Sequence, residues 1–307
     1  MASHDSMNEL GPRSGSDEAS GTAEPRSQVD PTMSEPRPRI SLVEALQNNW
    51  LEIWYQPKID LKRKCLAGAE ALARIHHPQY GLMWPDSFLP DVDEDSISRL
   101  TELALIATLR HWSTFEEAGF NLHLAINIPV GVLVRLPIAD LVREHRPKSE
   151  RWPGLILEVS EDQIVRDIKL ANKIADELRA SGVTISIDDF GAGYSSFSSL
   201  RALPFAELKL DSSFVKDCAI DATNAAICQT AIDLAHRFGS AAVAEGIETA
   251  ADMQALVVMG CDFGQGVLIA PTMPQQRFLD LLLQRASKSR VAAEAAALPA
   301  GSIGRVA

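Results

Sequence analysis

Short aliphatic and β-branched runs, most of them separated by stretches of helical periodicity, constrain the fold of this chain more than any other feature. The predicted strands cover residues 52–59, 66–74, 122–128, 155–159, 183–188, 207–210, 241–244 and a short run near 260–265. The first two follow each other without a helix and are expected to pair antiparallel. The later alternation of strands and helices predicts a parallel sheet with helices outside it. Eight strands over about 250 residues favour a closed α/β barrel of the TIM type, with an open doubly wound sheet as the alternative.

The helical stretches complete this pattern, and both ends of the chain differ from it in composition. Helices are predicted over residues 97–118, 167–181, 196–201, 222–238, 250–259 and 275–286. Residues 1–38 are rich in Ser, Pro, Gly and acidic residues, and they have too few large apolar side chains to offset the entropy cost of ordering. We therefore predict a disordered tail over 1–38, a folded domain over 39–287 and a flexible, Ala-rich tail over 288–307.

Polar side chains end or interrupt most of the predicted strands. They are Glu70, Asn127, Glu158, Asp188, Asp189, Lys209, Glu245 and Gln265. The carboxyl ends of all strands of a TIM barrel meet at one rim, where active sites form. A single acid after a strand is commonly a helix cap, but caps do not explain acids inside apolar runs such as LILEV and GAEAL. The sequence therefore predicts one shared polar site at this rim. Asp211 also follows a strand, but no role is assigned to it.

The charge balance of the chain bears on what such a site could bind. The net charge is −12, which argues against a protein that holds duplex DNA by broad neutralisation of phosphates. Carboxylates that converge repel one another and have raised pKa values unless cations lie among them. Oxygen ligands suit Mg²⁺ or Mn²⁺ rather than zinc. The residues alone therefore indicate two-metal hydrolysis of a phosphate ester.

Eight sequence blocks occur in a characteristic order: YQPKID, GAEALARIHHP, AINIP, LEVSE, SIDDFGAGYSS, LKLD, VAEGIET and GCDFGQG. With these blocks the chain resembles the EAL domain family, the cyclic di-GMP phosphodiesterases of bacteria, from about residue 42 to residue 282. The resemblance implies a modified TIM (β/α)8 barrel whose first strand runs antiparallel to the rest. It also implies hydrolysis of cyclic di-GMP to linear 5'-pGpG, which lowers a second messenger that controls biofilm, motility and virulence in relatives.

The resemblance also implies roles for individual residues. Those that hold two divalent cations, Mg²⁺ or Mn²⁺, are Glu70, Asn127, Glu158, Asp188, Asp189 and Glu245. Those assigned to catalysis are Glu70, Asp189, Lys209 and Glu245, with Lys209 holding the attacking water. Those assigned to substrate binding are Gln56, Arg74 and Gln265, with Arg74 on a phosphate and Gln265 also supporting the site. The residues that couple the loop after the fifth strand to a dimer interface are Glu161, Ser195 and Glu248.

Five positions depart from the family's usual pattern, and none of them is a metal ligand. They are Asp93, Ser96, Pro129, Val267 and Thr272. We expect them to alter guanine contacts and substrate affinity more than the chemistry.

Two alternatives to a phosphodiesterase remain open. The first is a catalytically silent receptor that binds cyclic di-GMP and signals through protein contacts, although this chain keeps the ligands that silent relatives lose. The second is another barrel enzyme, such as a sugar isomerase or a glycosidase with paired carboxylates. No GGDEF-like run is present, so no cyclase activity is expected.

The remaining features of the sequence bear on the cellular location and the partners of the protein. The four cysteines have no CxxC spacing, which favours reduced thiols, and no window approaches a membrane span. We expect a cytoplasmic homodimer without membrane insertion, acting with a sensory partner of unknown identity. His76 and His77 precede a proline and are interpreted as surface loop residues rather than metal ligands.

Overall fold

The computed structural model describes residues 38–160, 168–191 and 204–297, without the side chains of 168–173 and 288–297. Contacts divide the chain into Met1–Arg37 and Pro38–Ala307, and every described residue belongs to the second unit. The predicted helix over 196–201 lies outside the described residues, as do Glu161 and Ser195.

Ten strands form a single sheet in the described part of the chain. They are β1 (Leu51–Asp60), β2 (Cys65–His77), β3 (Gly81–Met83), β4 (His123–Asn127), β5 (Leu155–Ser160), β6 (Val183–Phe190), β7 (Glu207–Leu210), β8 (Ala241–Ala244), β9 (Phe263–Gly264) and β10 (Met273–Pro274). Eight of these described strands close into a ring in the order β1-β2-β4-β5-β6-β7-β8-β9, because β1 pairs with both β2 and β9. β1 is antiparallel to both neighbours, and the other pairs of the ring are parallel. The predicted closed barrel with an antiparallel first strand is confirmed, and the open sheet is wrong.

The helices surround this ring. In the described residues they are α1 (Leu42–Gln47), α2 (Pro85–Phe88), α3 (Glu94–Glu117), α4 (Val130–Arg135), α5 (Ile138–His145), α6 (Ile168–Ala180), α7 (Ser212–Val215), α8 (Ala222–Arg237), α9 (Ala250–Met259) and α10 (Gln275–Ala297). The short helices α1, α2, α4, α5 and α7 were not predicted, because so few turns give too few apolar positions to define a period. The last helix also continues to Ala297 instead of ending near residue 286. Of the helices in the described ranges, none is long and apolar enough to span a bilayer.

The strands are apolar because both of their faces are covered. All four residues of β7 are buried, and Leu208 and Leu210 belong to the main apolar core. Successive side chains of a strand point to opposite faces, so Glu207 and Lys209 of the same strand point into the barrel. The α/β barrel therefore places apolar residues towards the helices and leaves the interior positions available for polar residues.

A buried ion pair lies at the end of the barrel opposite the predicted rim. Lys58 Nζ of β1 lies 2.7 Å from both carboxylate oxygens of Glu207, and both side chains are buried. Glu207 is the first residue of β7, at the amino end of the parallel strands. This pairing satisfies two charges that would be costly to bury alone.

Candidate active site

Side chains from seven different strands or strand ends meet at the carboxyl end of the barrel. Glu70 in β2 lies opposite Gln56 of β1 and beside Ala125 of β4. Asn127, the last residue of β4, pairs with Glu158 of β5. The predicted rim site is therefore formed by strands that are neighbours in the ring.

Lys209 is the centre of this site. Its side chain is fully buried, and its Nζ lies 2.8 Å from Glu158 Oε2, 3.0 Å from Asp188 Oδ1, 2.5 Å from Glu245 Oε1 and 3.8 Å from Glu70 Oε2. We call these five residues the Lys209 cluster. The cluster contains one cation for four carboxyl groups, so its own residues leave an excess of negative charge.

Two amide side chains fix the carboxylates of the cluster. Asn127 Nδ2 donates to Glu70 Oε1 at 2.6 Å. Gln265 Nε2 donates to Glu70 Oε2 at 2.7 Å and to Glu245 Oε1 at 2.9 Å. Both oxygens of Glu70 are therefore oriented before any ligand binds, which is the preorganisation that a binding or catalytic site requires.

The adjacent acids Asp188 and Asp189 close one side of the site through an unusual backbone conformation. Asp189 has a φ of 55°, in the left-handed region that non-glycine residues rarely adopt. Its backbone N–H donates to Asp188 Oδ1 at 3.0 Å. One carboxylate oxygen each from Asp188, Asp189 and Glu245 lies within 4.8 Å of the others. The strained backbone therefore turns two consecutive carboxylates towards the same point.

The pKa shifts reflect this crowding. Burial raises the pKa of Glu245 to about 8, although Lys209 opposes the shift. Burial, together with the charge of Glu70, also raises the pKa of Glu158 well above its usual range. Burial would lower the pKa of Lys209, but the surrounding carboxylates outweigh it and raise this pKa well above the ordinary value. Lys209 is therefore a fixed positive charge.

The site fits divalent cations. The pKa of Asp189 is raised by burial and by the charges of Asp188 and Asp211, so this edge of the site also lacks compensating charge. Glu158 Oε2 is buried, and no described atom completes hydrogen-bond geometry with it. Carboxylate and amide oxygens are the donors that Mg²⁺ and Mn²⁺ prefer. The donor chemistry and the uncompensated charge thus agree on hard cations.

Asp211 is a rim residue to which the sequence reasoning gave no role. It follows β7 directly, and its charge contributes to the raised pKa of Asp189. Its carboxylate also accepts the backbone N–H of Ser213 at 2.9 Å and so caps α7. The sequence could have pointed to Asp211 through its position two residues after Lys209. A capping role explains an acid at this position equally well.

Gln265 is held in place by a close backbone contact. Its N–H donates to Ala244 O at 2.9 Å, and its carbonyl accepts from Ile247 N at 3.1 Å. A Cβ at the next residue, Gly266, would lie 2.3 Å from the backbone N and O of Ile247, and the φ of Gly266 is 155°. Only glycine permits this approach, which brings Gln265 against Glu70 and Glu245.

Arg74 is buried at the end of β2 that carries Glu70. Its Nη1 donates to the carbonyl of Ala73 at 2.8 Å, while its Nε is buried without a hydrogen-bond partner among the described residues. Burial lowers the pKa of Arg74, and the charge of Glu70 opposes this shift. A guanidinium with an unused buried donor is suited to an anionic ligand.

The other predicted positions lie outside the Lys209 cluster. Glu248 is exposed, three residues beyond Glu245. Two of the departures from the family pattern contact each other: Asp93 caps α3 and accepts from the backbone N–H of Ser96 at 2.9 Å and from its hydroxyl at 2.7 Å. Pro129 immediately precedes α4, and Val267 is 61% exposed beside the rim residue Gln265.

His76 and His77 were interpreted as loop residues, and this is wrong in detail, because both belong to β2. His76 Nδ1 lies 3.0 Å from Glu52 Oε1. His77 Nδ1 accepts the backbone N–H groups of Gln79 and Tyr80, so the two rings have different partners.

Comparison with known proteins identifies the family. The family model described as EAL domain matches residues 39–272. The chain belongs to the EAL domain family. It is 36% identical over 241 residues to the bifunctional diguanylate cyclase/cyclic di-GMP phosphodiesterase MucR of Pseudomonas aeruginosa, an alignment that covers 78% of this chain and 35% of MucR. It is also 31% identical to the cyclic di-GMP phosphodiesterase RocR of the same organism, over 78% of this chain and 62% of RocR. The chain thus spans about a third of the length of MucR.

Solved structures of EAL proteins share the barrel. The MucR phosphodiesterase in complex with c-di-GMP has a TM-score of 0.71 at 35% identity, covering 77% of this chain and 97% of that chain. The Klebsiella pneumoniae protein BlrP1, in a manganese/cy-diGMP complex, has a TM-score of 0.63 at 25% identity, covering 74% of this chain and 56% of that chain. The predicted family and its barrel fold are confirmed.

Proposed function

We propose that this protein hydrolyses cyclic di-GMP to linear 5'-pGpG with two divalent cations, Mg²⁺ or Mn²⁺. The observation that carries the proposal is the complete Lys209 cluster, with Glu70 oriented by Asn127 and Gln265. The names of the relatives MucR and RocR support the substrate, and the manganese complex of BlrP1 supports the type of cation.

The residues that would hold the cations are the oxygen donors of the rim. They are Glu70, Asn127, Glu158, Asp188, Asp189 and Glu245, and Asp211 lies beside them. When bound, the two cations neutralise phosphate charge and activate the attacking nucleophile. The excess of negative charge in the cluster is the chain's own contribution to holding them.

Lys209 would orient the attacking water. Its raised pKa keeps the ammonium protonated, so it donates hydrogen bonds and does not act as a base. Its burial among four carboxylates fixes Nζ at one position, which restricts where a water that it contacts can lie.

Arg74 and Gln56 would bind the substrate. The unused buried Nε of Arg74 suits a phosphate oxygen of the dinucleotide. Gln56 lies opposite Glu70 in the β1–β2 ladder, at the level of the cluster. The loop roles of Glu161, Ser195 and Glu248, a homodimer, a cytoplasmic location and a sensory partner stay predictions.

A turnover assay tests this function. Purified protein is incubated with cyclic di-GMP and Mg²⁺ or Mn²⁺, and the products are separated by chromatography. We expect linear 5'-pGpG that depends on the cation. Glu70→Gln should lower turnover by at least about a hundredfold, because it replaces a charged acceptor of two amide donors and adds an N–H that faces one of them.

Glu52→Gln is the matched control. Glu52 also lies in the β1–β2 ladder, but it contacts Trp54 and His76 rather than the Lys209 cluster. This variant should retain turnover. Binding of cyclic di-GMP without any linear product would favour the silent receptor and overturn the proposed hydrolysis.

A further inference from the structure

A cavity lies outside the Lys209 cluster, where the residues around α1 meet the turn between β2 and β3. Its volume is about 550 Å³, within the range of small-molecule sites. Residues of its wall that carry aromatic rings or charges are Arg39, Glu44, Trp50, His77 and Tyr80. None of them belongs to the Lys209 cluster. Strand alternation also places His77 on the opposite face of β2 from Arg74.

Contacts between neighbouring rings form the aromatic wall of this cavity. Tyr80 stacks on His77 with ring centroids 4.7 Å apart and planes at 25°, and Trp50 meets the same ring edge-on at 4.7 Å. His77 Nδ1 accepts the backbone N–H groups of Gln79 at 3.1 Å and Tyr80 at 3.2 Å, which fixes the ring between its two neighbours.

The backbone supports the same wall. Trp50 N donates to Ala45 O at 3.0 Å, and Trp50 O accepts from His76 N at 2.8 Å. Tyr80 is nevertheless 47% exposed, so part of this ring system is free of the core. A partly exposed ring that already stacks on a neighbour offers a stacking surface to a planar ligand, because that contact restricts the side chain before binding.

Two charged groups define the rest of the ligand. Arg39 is paired with Asp91 at 2.8 Å, but both side chains are highly exposed, and an exposed pair of this kind is weak enough to exchange for a phosphate. Glu44, also exposed, lies on the same wall. A carboxylate accepts from two adjacent N–H donors, which the edge of guanine presents. The edge of adenine offers one amino donor beside a ring acceptor that would repel it.

From this arrangement we propose that the cavity binds a guanine nucleotide, with the base on Tyr80, the guanine edge on Glu44 and the phosphate on Arg39. The site is separate from the barrel rim and uses no metal-binding residue. Binding therefore requires neither a divalent cation nor hydrolysis, and the proposal does not depend on the proposed function.

Calorimetric titration of the full chain with GMP, and separately with AMP, tests this site in the presence of EDTA. We expect GMP to bind more tightly than AMP. Tyr80→Leu should weaken GMP binding by about tenfold, since it removes the stacking surface. Glu44→Gln should lower the preference for GMP over AMP by about tenfold, since a neutral amide no longer favours two donors.

Glu117→Gln is the matched control, because Glu117 is an exposed acid at the end of α3 and does not line the cavity. It should leave both affinities unchanged. Glu44 lies on an exposed surface of α1, so its variant is expected to fold even if Tyr80→Leu does not. The proposal is overturned if GMP fails to bind in EDTA, or if Glu44→Gln leaves the preference between the two nucleotides unchanged. It is also overturned if Glu70→Gln, at the rim, abolishes GMP binding.

Discussion

Lys209 Nζ lies 2.8 Å from Glu158 Oε2 in the interior of the barrel, and both side chains are almost completely buried. A pair at this depth is held by the fold rather than by solvent, and removing one partner leaves an uncompensated buried charge. The relationship makes Lys209 important for folding as well as for the proposed reaction.

An uncharged side chain of similar length at position 209 measures how much the ammonium of Lys209 contributes to stability. Lys209→Met should reduce the free energy of unfolding by about 3 kcal/mol in EDTA, because four carboxyl groups lose their shared cation. Urea denaturation measures this loss. Lys216→Met, at an exposed position after α7, is the control and should change stability little. Equal stability of the two variants would contradict the electrostatic role of Lys209.

Divalent cations should stabilise the folded protein. At about a hundred times the dissociation constant, a ligand adds about 2.7 kcal/mol to the free energy of unfolding, which corresponds to a rise in Tm of several degrees. Asp189→Asn should reduce this rise, because it removes one of the three carboxylates that converge within 4.8 Å. Thermal unfolding with and without Mn²⁺ is the measurement. Asp233→Asn, at an exposed position of α8, should keep the full rise, and an equal reduction in both variants would argue against a cation at Asp189.

Gly266→Ala should damage both stability and turnover. The new Cβ would lie 2.3 Å from the backbone of Ile247, so the chain must shift and carry Gln265 away from Glu70. The matched control is Gly239→Ala. Gly239 also has a positive φ, of 72°, but no atom of the described residues lies within 4 Å of its Cβ position. The control should cost about 1 kcal/mol, from backbone strain alone, and retain turnover.

The Gly266 variant should cost about 1–3 kcal/mol more than this control. Urea denaturation measures the difference in stability between the two variants, and the turnover assay measures the difference in activity. Similar losses in the two variants would mean that the Ile247 contact does not position Gln265.

Asp252 should contribute a stability that disappears in acid. Burial would raise its pKa, but hydrogen bonds from Thr249 and the backbone N–H of Ala219 outweigh burial and lower it. A carboxyl whose pKa is lower in the folded state stabilises the fold above its unfolded pKa of about 3.9, and the effect is lost as the pH falls through the folded value. Asp252→Asn should therefore cost about 1.5 kcal/mol at neutral pH and little at the lowest pH.

Denaturation curves recorded between neutral pH and about pH 2 measure this dependence. Asp280→Asn, at an exposed position of α10, is the control. A deficit for Asp252→Asn that does not change with pH would show that the charge of Asp252 is not involved.

Much of the barrel could be predicted from the sequence because each strand carries its own local signal. β5 is an apolar run with one charged residue, and β7 alternates charged and apolar residues, so the local patterns indicated both Glu158 and Lys209. The carboxyl ends of the strands of a parallel barrel always meet at one rim. The location of the site could therefore be predicted without knowing any side-chain contact.

Other features depend on pairings that no local pattern contains. The contact of Lys58 with Glu207 joins two strands 149 positions apart in the chain, and neither residue is unusual in its own segment. Likewise, the cavity beside Tyr80 arises only when the β2–β3 turn folds against the end of α1. The role of Asp189 also depends on a left-handed backbone, which a run of two acids does not specify.

The pairing of the antiparallel β1 with β9 has a consequence for how the protein folds during its synthesis. Ile59 of β1 pairs with Gly264 of β9, on the order of two hundred residues later, and this pairing completes the ring. On a ribosome, β1 and β2 can pair early as a hairpin. The pairing of β1 with β9 can form only after nearly the whole domain has been synthesised. The barrel is therefore sealed late in synthesis, and a chain truncated before residue 263 would expose an open edge of β1 to aggregation.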